Sequence, residues 1–435
     1  MNSKSFEYTL EVNTKNIVLF SQKREYIWSF LIGLCCGTPY ILTASTLKAW
    51  FTNSNVSIVV IGWLSLVNIS YLLKFIWGPF FDHFVPPGYK SIKGWAIIAH
   101  FSMGIMLYVL GHFDPLSQTK QTIFVACIVA FFGSCITLAL DGYWVRFIKG
   151  KQINTFAGFT EVGYRLGKII TGGFTLILAD HFSWYFVYTI SSIIITLLGI
   201  VMCFAPHIDH VNDSEDLNYI STMKKSWYHI KQHGHWVLIL FLILVKVNEA
   251  LEHNLLPVFM LRFLALSLTN VGVITKVIGI IANLIGLAIA LRLIQMLHYK
   301  HTLIIGLLIH ASSALLYLWL CYTPLPNVPF IVLITLIDNI SRGIITTTLF
   351  AFYASQVNEN LSATQLSLFS LLTGTSGIFF APIAGYIVDN FGWETLFFTS
   401  AIITIPSMAL LTQLDRNLTI RIKPPSHAGF ATENR

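Results

Sequence analysis

Charged side chains are scattered through the long apolar runs of this sequence: Lys74, Asp141, Glu161, Arg165, Lys168, Lys246, Glu249, Glu252, Lys276, Asp338 and Arg342. On insertion scales each meets a penalty of about 2.5 to 3.5 kcal/mol at the centre of a bilayer, so together they must pair inside a bundle or line a wet cavity. Two chemistries suit them. Cations on several helices can hold an anionic solute through charge-assisted hydrogen bonds. Buried carboxylates can exchange a proton with water on either side of a membrane. Lys74, Lys246 and Lys276 lie on three different runs, and with Asp141 and Arg165 they form a candidate substrate-binding set. The alternative for the lysines is a place nearer a helix end, from which they snorkel to the interface. Asp141, Glu161, Glu249 and Glu252 are the candidates for proton coupling, Asp141 and Glu249 foremost. Glu161 and Arg165 are one helical turn apart, as are Asp338 and Arg342. Each pair reads as structural pairing, and Arg165 also reads as a fork for a carboxylate or phosphate. His253, beside Glu252, is either a further titratable group or a residue that simply meets water at a helix end.

The elements that position these groups follow from composition. Of 435 residues, 55% are hydrophobic and 11% charged, with a mean hydropathy of +0.69. A soluble domain has no means of covering that much apolar surface. A helix crosses the hydrocarbon core in about 20 residues, and a closed barrel would need alternating polar and apolar positions that these unbroken runs lack. The expected fold is therefore all-α, a polytopic membrane protein of 12 transmembrane helices in two six-helix bundles. The spans fall near 27–50, 57–81, 93–112, 122–146, 154–179 and 184–206, then 236–261, 267–292, 301–322, 328–354, 362–388 and 394–413. The expected organisation is a cytoplasmic segment at 1–26, a bundle at 27–206, a polar linker at 207–235, a second bundle at 236–413 and a cytoplasmic tail at 414–435. The polar stretch before the first run has no cleavage signal, so that run is read as the first span.

Lysine and arginine concentrate in the loops on one side: Lys15, Lys23, Arg24, Lys90, Lys93, Lys149, Lys151, Lys224, Lys225, Lys231, Lys300, Arg416, Arg421 and Lys423. The opposite loops hold little beyond Lys120 and Arg262. Positive residues in short loops stay in the cytoplasm, so both termini are expected there. This bias accounts for the net charge of +7, and no nucleic-acid partner is expected. The expected partners are a small-molecule solute, protons and the lipid bilayer, with the chain acting as a monomer. The six cysteines lack metal-ligand spacing and read as small buried side chains. No nucleophile motif or phosphate-binding loop occurs, so neither an enzyme nor a cofactor or metal is expected. His100 and His310 stand alone within their runs and read as packing residues. Trp50, Trp77, Trp184 and Trp393, near span ends, read as interfacial anchors.

The two halves carry a repeat. Asp180, Phe182 and Trp184 near the end of the fifth span match Asp389, Phe391 and Trp393 near the end of the eleventh at a constant offset. Duplicated bundles whose interface forms a central cavity are the expected result. Gly33 and Gly37 of the first span and Gly163, Gly167, Gly172 and Gly173 of the fifth suit close helix approach, and Pro39 a bend. Gly37, Pro39, Gly163, Gly167 and Asp389 are read as structural or gating positions.

Several stretches resemble the AmpG-type muropeptide permeases of the major facilitator superfamily. They are Gly33-x3-Gly37-x-Pro39 with Thr43, Thr46 and Trp50; Lys74-Phe75-Ile76-Trp77-Gly78-Pro79-x2-Asp82; and Gly163-Tyr164-Arg165-Leu166-Gly167. Lys276 with Gly279, Asn339 with Gly343, and Ser362-Ala363-Thr364-Gln365 extend the match along nearly the whole chain. The resemblance implies the fold, proton-coupled import across the inner membrane, a muropeptide substrate class and a place for Asp82 in a gating loop. Three stretches depart from the family. Thr137 stands where a second aspartate usually precedes Asp141. Glu252, His253, Asn254 and Pro257 enter the seventh span where the family is small or apolar. Asp82-His83-Phe84-Val85-Pro86-Pro87 lacks the usual arginine. These departures leave open another solute, such as a carboxylate siderophore or an acylated metabolite. From a different class, a transporter-like substrate sensor also fits, although neither linker nor tail is long enough for an output domain. The mechanism expected is a rocker switch biased by protonation of Asp141 or Glu249.

Overall fold

A computed structural model describes residues 24–84, 86, 91–147, 153–208, 236–323, 327–356, 371 and 374–417. Most of the linker and tail, the Ser362-Ala363-Thr364-Gln365 stretch and many of the lysines that set the expected orientation lie outside the described residues, as does the Asp82 side chain. No strand occurs among the described residues. The helices are α1 (Arg24–Asn53), α2 (58–83), α3 (Lys93–Leu110), α4 (Thr119–Phe147), α5 (153–181), α6 (Trp184–Cys203), α7 (236–263), α8 (268–297), α9 (299–321), α10 (Val328–Gln356), α11 (374–391) and α12 (393–417). Among the described residues, seven continuous helical stretches are long and apolar enough to cross a membrane, and two of these hold a pair of helices each, broken at His298 and Gly392. The helices lie on the spans read from the sequence, and the protein is a multi-pass membrane protein.

Lipid-facing side chains such as Ile105, Phe124 and Ile405 are exposed, which suits an apolar solvent in which every backbone group is satisfied within its helix. Inside each half, small residues set the closest crossings. A Cβ at Gly33 or Gly37 would run into the carbonyl oxygens of Thr160 and Tyr164, and one at Gly163 into that of Phe30, so α1 and α5 touch backbone to backbone. Larger side chains fill the rest. Tyr188 packs on Trp50, whose ring stacks on Trp184 at 5.8 Å, and Phe259 packs on Trp393 and Phe397. Trp50 and Trp393 are thus buried, not interfacial as expected: each caps an aromatic cluster within its own half.

The halves touch most closely where α1 ends and α2 begins. Arg262, late in α7, donates to the carbonyls of Thr52 and Val56 at 3.1 and 2.6 Å. Asp180, at the end of α5, accepts from the Thr269 backbone N–H at 3.2 Å in the first turn of α8. Gly62 of α2 packs on Gly385 and on the Ala381 carbonyl of α11. Between the halves, α5 and α8 each contain a π-helical turn, Ile169–Phe174 and Val273–Ile278. The extra residue in such a turn breaks helical register and often marks a functional site. Here the two turns face each other through Gly172, Gly173 and Gly272.

Candidate functional site

A cavity lies between the halves, walled by α1, α7, α8 and α10. Pro257 cannot donate the backbone bond that a continuous helix requires, and α7 breaks just before it at Asn254 and Leu255. The break frees the Asn254 side chain to act as a junction. Its Nδ2 donates to the carbonyls of Ala250 at 2.8 Å and Gly377 at 3.1 Å, while its Oδ1 accepts from Lys48 Nζ at 2.9 Å. Lys48 Nζ also donates to the Ser65 hydroxyl at 2.7 Å. Lys276 enters the cavity from the π turn of α8, alongside Gly172. Lys48 is 4% exposed and Lys276 7%, and among the described residues neither ammonium has a carboxylate within ion-pair distance. His253 and Arg342 line the same space, and Lys168 lies close enough to act on Lys276. The cavity is therefore lined by basic side chains, with neutral polar groups from Tyr40, Asn254 and Asn339 around them.

A buried charged cluster adjoins the cavity inside the second half. Asp338 on α10 accepts from Arg342, one turn along, and contacts His310 Nδ1 of α9 at 3.2 Å. His310 Nε2 points at Glu252 Oε2 of α7 across 4.0 Å. Glu252 Oε2 also accepts from the Ser400 hydroxyl of α12 at 3.4 Å. Among the described residues, Glu252 Oε1 and His310 Nε2 are buried without a hydrogen-bond partner. Arg342 belongs to both regions, since its Nη2 reaches Asp338 and Asn339 while its side chain lines the cavity.

Of the lysines expected to converge, Lys276 alone lines this cavity. Lys74 pairs with Asp141 at 3.1 Å, joining α2 to α4 within the first half, and the Asp141 side chain is 60% exposed. Lys246 pairs with Glu249 at 2.6 Å on α7. Arg165 Nε lies 2.8 Å from Glu161 Oε1, in contact but off the line of a hydrogen bond, and its Nη1 donates to Asn283 of α8 at 3.1 Å. The Glu161 and Arg165 pair thus forms as its spacing implies and also reaches across to the other half. Lys168 sits over the Tyr164 ring at 4.1 Å. Thr137, at the position of the absent aspartate, donates to the Ser134 carbonyl at 3.0 Å within its own helix. Gly37, Gly163 and Gly167 lie at the α1 and α5 crossing, Pro39 packs beside Gly133 of α4, and Asp389 is exposed near the end of α11.

The profile of the Major Facilitator Superfamily matches residues 29–380 of the chain. The chain belongs to the Major Facilitator Superfamily. Within this superfamily of transporters, the anhydromuropeptide permease of Escherichia coli K12 is 26% identical over 432 residues, covering 97% of this chain and 87% of the relative. A putative AmpG 1 transporter of Rickettsia bellii is 25% identical over 416 residues, covering 92% of this chain and 99% of the relative. Among solved structures, the nucleoside transporter NupG superposes with a TM-score of 0.71 at 16% identity, covering 90% of this chain and 98% of that one. A D-xylose-proton symporter does so with a TM-score of 0.70 at 12% identity, over 89% and 96% of the two chains. The major facilitator fold is thus shared with transporters of different cargoes.

Two residues of this major facilitator site escape the sequence. Lys48 sits next to the end of the first apolar run and resembles a boundary residue, yet the turn of α1 at Ala44 carries it inward. His310 stands alone in its run. Its partners lie 58 residues before it and 28 after, separations at which no helical periodicity signals contact.

Proposed function

We propose that this protein imports an anionic solute, an anhydromuropeptide or one of like chemistry, across the bacterial inner membrane by proton-coupled alternating access. The observation that carries the reading is the pair of buried ammonium groups, Lys48 and Lys276, that face the cavity between the halves without a carboxylate partner among the described residues. Uncompensated charge is expensive at membrane depth and marks a solute path. A peptide-bearing solute supplies carboxylates to pair with these lysines and with Arg342. The similarity to an anhydromuropeptide permease over almost the whole chain supports that solute class. A single chain supplies every wall of the cavity, which supports a working monomer. The bias of lysine and arginine supports cytoplasmic termini. In that orientation the face where α1 ends is periplasmic, and its contacts close the cavity on that side.

The test is uptake of a labelled anhydromuropeptide by cells lacking their own permease, comparing the wild type with Lys48→Gln and Lys276→Gln. Uptake that collapses with the proton gradient and falls at least tenfold in Lys276→Gln is the expected result, about the value of one charge-assisted hydrogen bond. No uptake by correctly inserted wild-type protein would reject this solute and direct a screen to other anions, siderophores and acylated metabolites among them.

A further inference from the structure

Glu252 and His310 face each other across 4.0 Å as two acceptors. His310 Nδ1 lies 3.2 Å from Asp338 Oδ1, and only a hydrogen on Nδ1 makes that contact favourable. In a neutral imidazole the Nε2 lone pair then points at the Glu252 carboxylate, 4.0 Å away. Glu252 is 1% exposed and His310 2%, and among the described residues neither Nε2 nor Glu252 Oε1 has a hydrogen-bond partner. A buried polar atom without a partner costs about 1 to 3 kcal/mol, more when charged. One proton removes the conflict. On Nε2 it makes an imidazolium that attracts the carboxylate, and on Glu252 it makes a carboxyl whose O–H faces Nε2; either lets the two close from 4.0 Å to hydrogen-bond distance.

The charges around the pair fix the stoichiometry. On α10, Asp338 is neutralised by Arg342, and on α9 the Tyr317 hydroxyl is bonded to Thr335. On α7, Glu249 is paired with Lys246, and α12 presents the Ser400 hydroxyl. The cluster therefore carries one net negative charge when His310 is neutral. A single proton makes it neutral, whereas a divalent cation would leave an excess positive charge at membrane depth.

We propose that Glu252 and His310 form a one-proton site that is linked to the solute cavity through Asp338 and Arg342. Arg342 is shared: a solute carboxylate that engages it in the cavity weakens its hold on Asp338. Asp338 then leaves uncompensated negative charge beside the pair, which favours the bound proton. Solute anion and proton thus favour each other's binding, and by reciprocity each raises the affinity for the other by the same factor. This linkage rests on the transport proposed above, whereas the proton site itself does not.

The experiment reads the site without solute. Infrared difference spectra of the purified protein in lipid vesicles are recorded across a pH titration in potassium buffer. The expected result is one titrating band in the wild type, of a buried carboxyl when the proton rests on Glu252 or of an imidazolium when it rests on His310. That band is missing in Glu252→Gln and has a displaced midpoint in His310→Gln. A wild type with neither band overturns the proposal. The same band in Glu252→Gln, or an unchanged midpoint in His310→Gln, overturns the proposal. Should Glu252→Gln fail to fold, the His310→Gln midpoint decides alone. Replacing potassium by sodium should leave the wild-type midpoint in place; a shift would assign the site to a monovalent metal cation instead. Failure of anhydromuropeptide uptake leaves all these readouts standing.

Discussion

Gly172 and Lys276 share one space: a Cβ on Gly172 would stand 3.1 Å from Lys276 Cδ and 2.8 Å from a methyl of Ile41. The missing side chain on α5 is what lets the lysine of α8 lie between the two π turns and reach the cavity. Gly172→Ala should therefore crowd Ile41 and the Lys276 stem and raise the half-saturating solute concentration modestly. Gly172→Leu should push the ammonium off its position and raise that concentration by about tenfold or more, since a charge-assisted hydrogen bond contributes about 1.5 to 3 kcal/mol. Saturation curves of solute uptake measure both. An unchanged curve for Gly172→Leu would remove Lys276 from the binding site.

The contact between Asp180 and the Thr269 backbone bridges the two halves where α5 ends and α8 begins. Alternating access requires that contact to open, because a solute reaches a central site from one side at a time. Oxidising a double variant, Asp180→Cys with Thr269→Cys, should stop uptake almost completely, and a reducing agent should restore it. Neither single variant should respond to oxidant. Cross-linked protein that transports at full rate would show that this contact is not a gate.

Asp338 and Arg342 neutralise each other deep in the second half, and removing one partner strands the other. Arg342→Gln should lose about 3 to 5 kcal/mol of stability, the usual penalty for an unpaired buried charge. Asp338→Asn combined with Arg342→Gln should recover a substantial part of that loss. Thermal unfolding of purified protein gives the comparison. If the double variant were as unstable as the sum of the single ones, the pair would not be an electrostatic unit.

The membrane spans were legible because a run long enough to cross lipid leaves little choice of structure, and the helices of the structure lie on those runs. The ion pairs one turn apart, Glu161 with Arg165 and Asp338 with Arg342, were legible for the same local reason. Contacts between helices were not. Lys74 has its acid on α4 and Lys246 has one on its own helix, so neither adds free charge to the cavity. Lys48 gains its role from the turn of α1 and the break of α7, which no residue near it announces. His310 gains its role from Glu252 and Asp338, distant in sequence. Trp50 and Trp393 stand where interfacial anchors stand, and only the packed aromatic rings beside them show that they are core.

The internal repeat meets the same junction with two backbones, and a third junction reuses one of them. Ser183, between α5 and α6, is extended and caps α6 by accepting from the Phe186 N–H at 3.4 Å. Gly392, its repeat partner between α11 and α12, adopts φ 83° and ψ 173°, a region essentially reserved for glycine. His298, between α8 and α9, adopts φ 63° and ψ 168°, the same region with a side chain attached. Strain of this kind amounts to about 1 to 3 kcal/mol. Gly392→Ala should therefore lower stability by that amount, and a new Cβ would also meet the Glu394 carboxylate at 2.6 Å. His298→Gly should do the reverse and raise stability by a similar amount, partly offset by the greater freedom of glycine in the unfolded chain. Thermal unfolding in lipid vesicles should move in opposite directions for the two variants. A stabilised Gly392→Ala, or a His298→Gly that melts earlier than the wild type, would show that these junctions are set by contacts and not by backbone conformation.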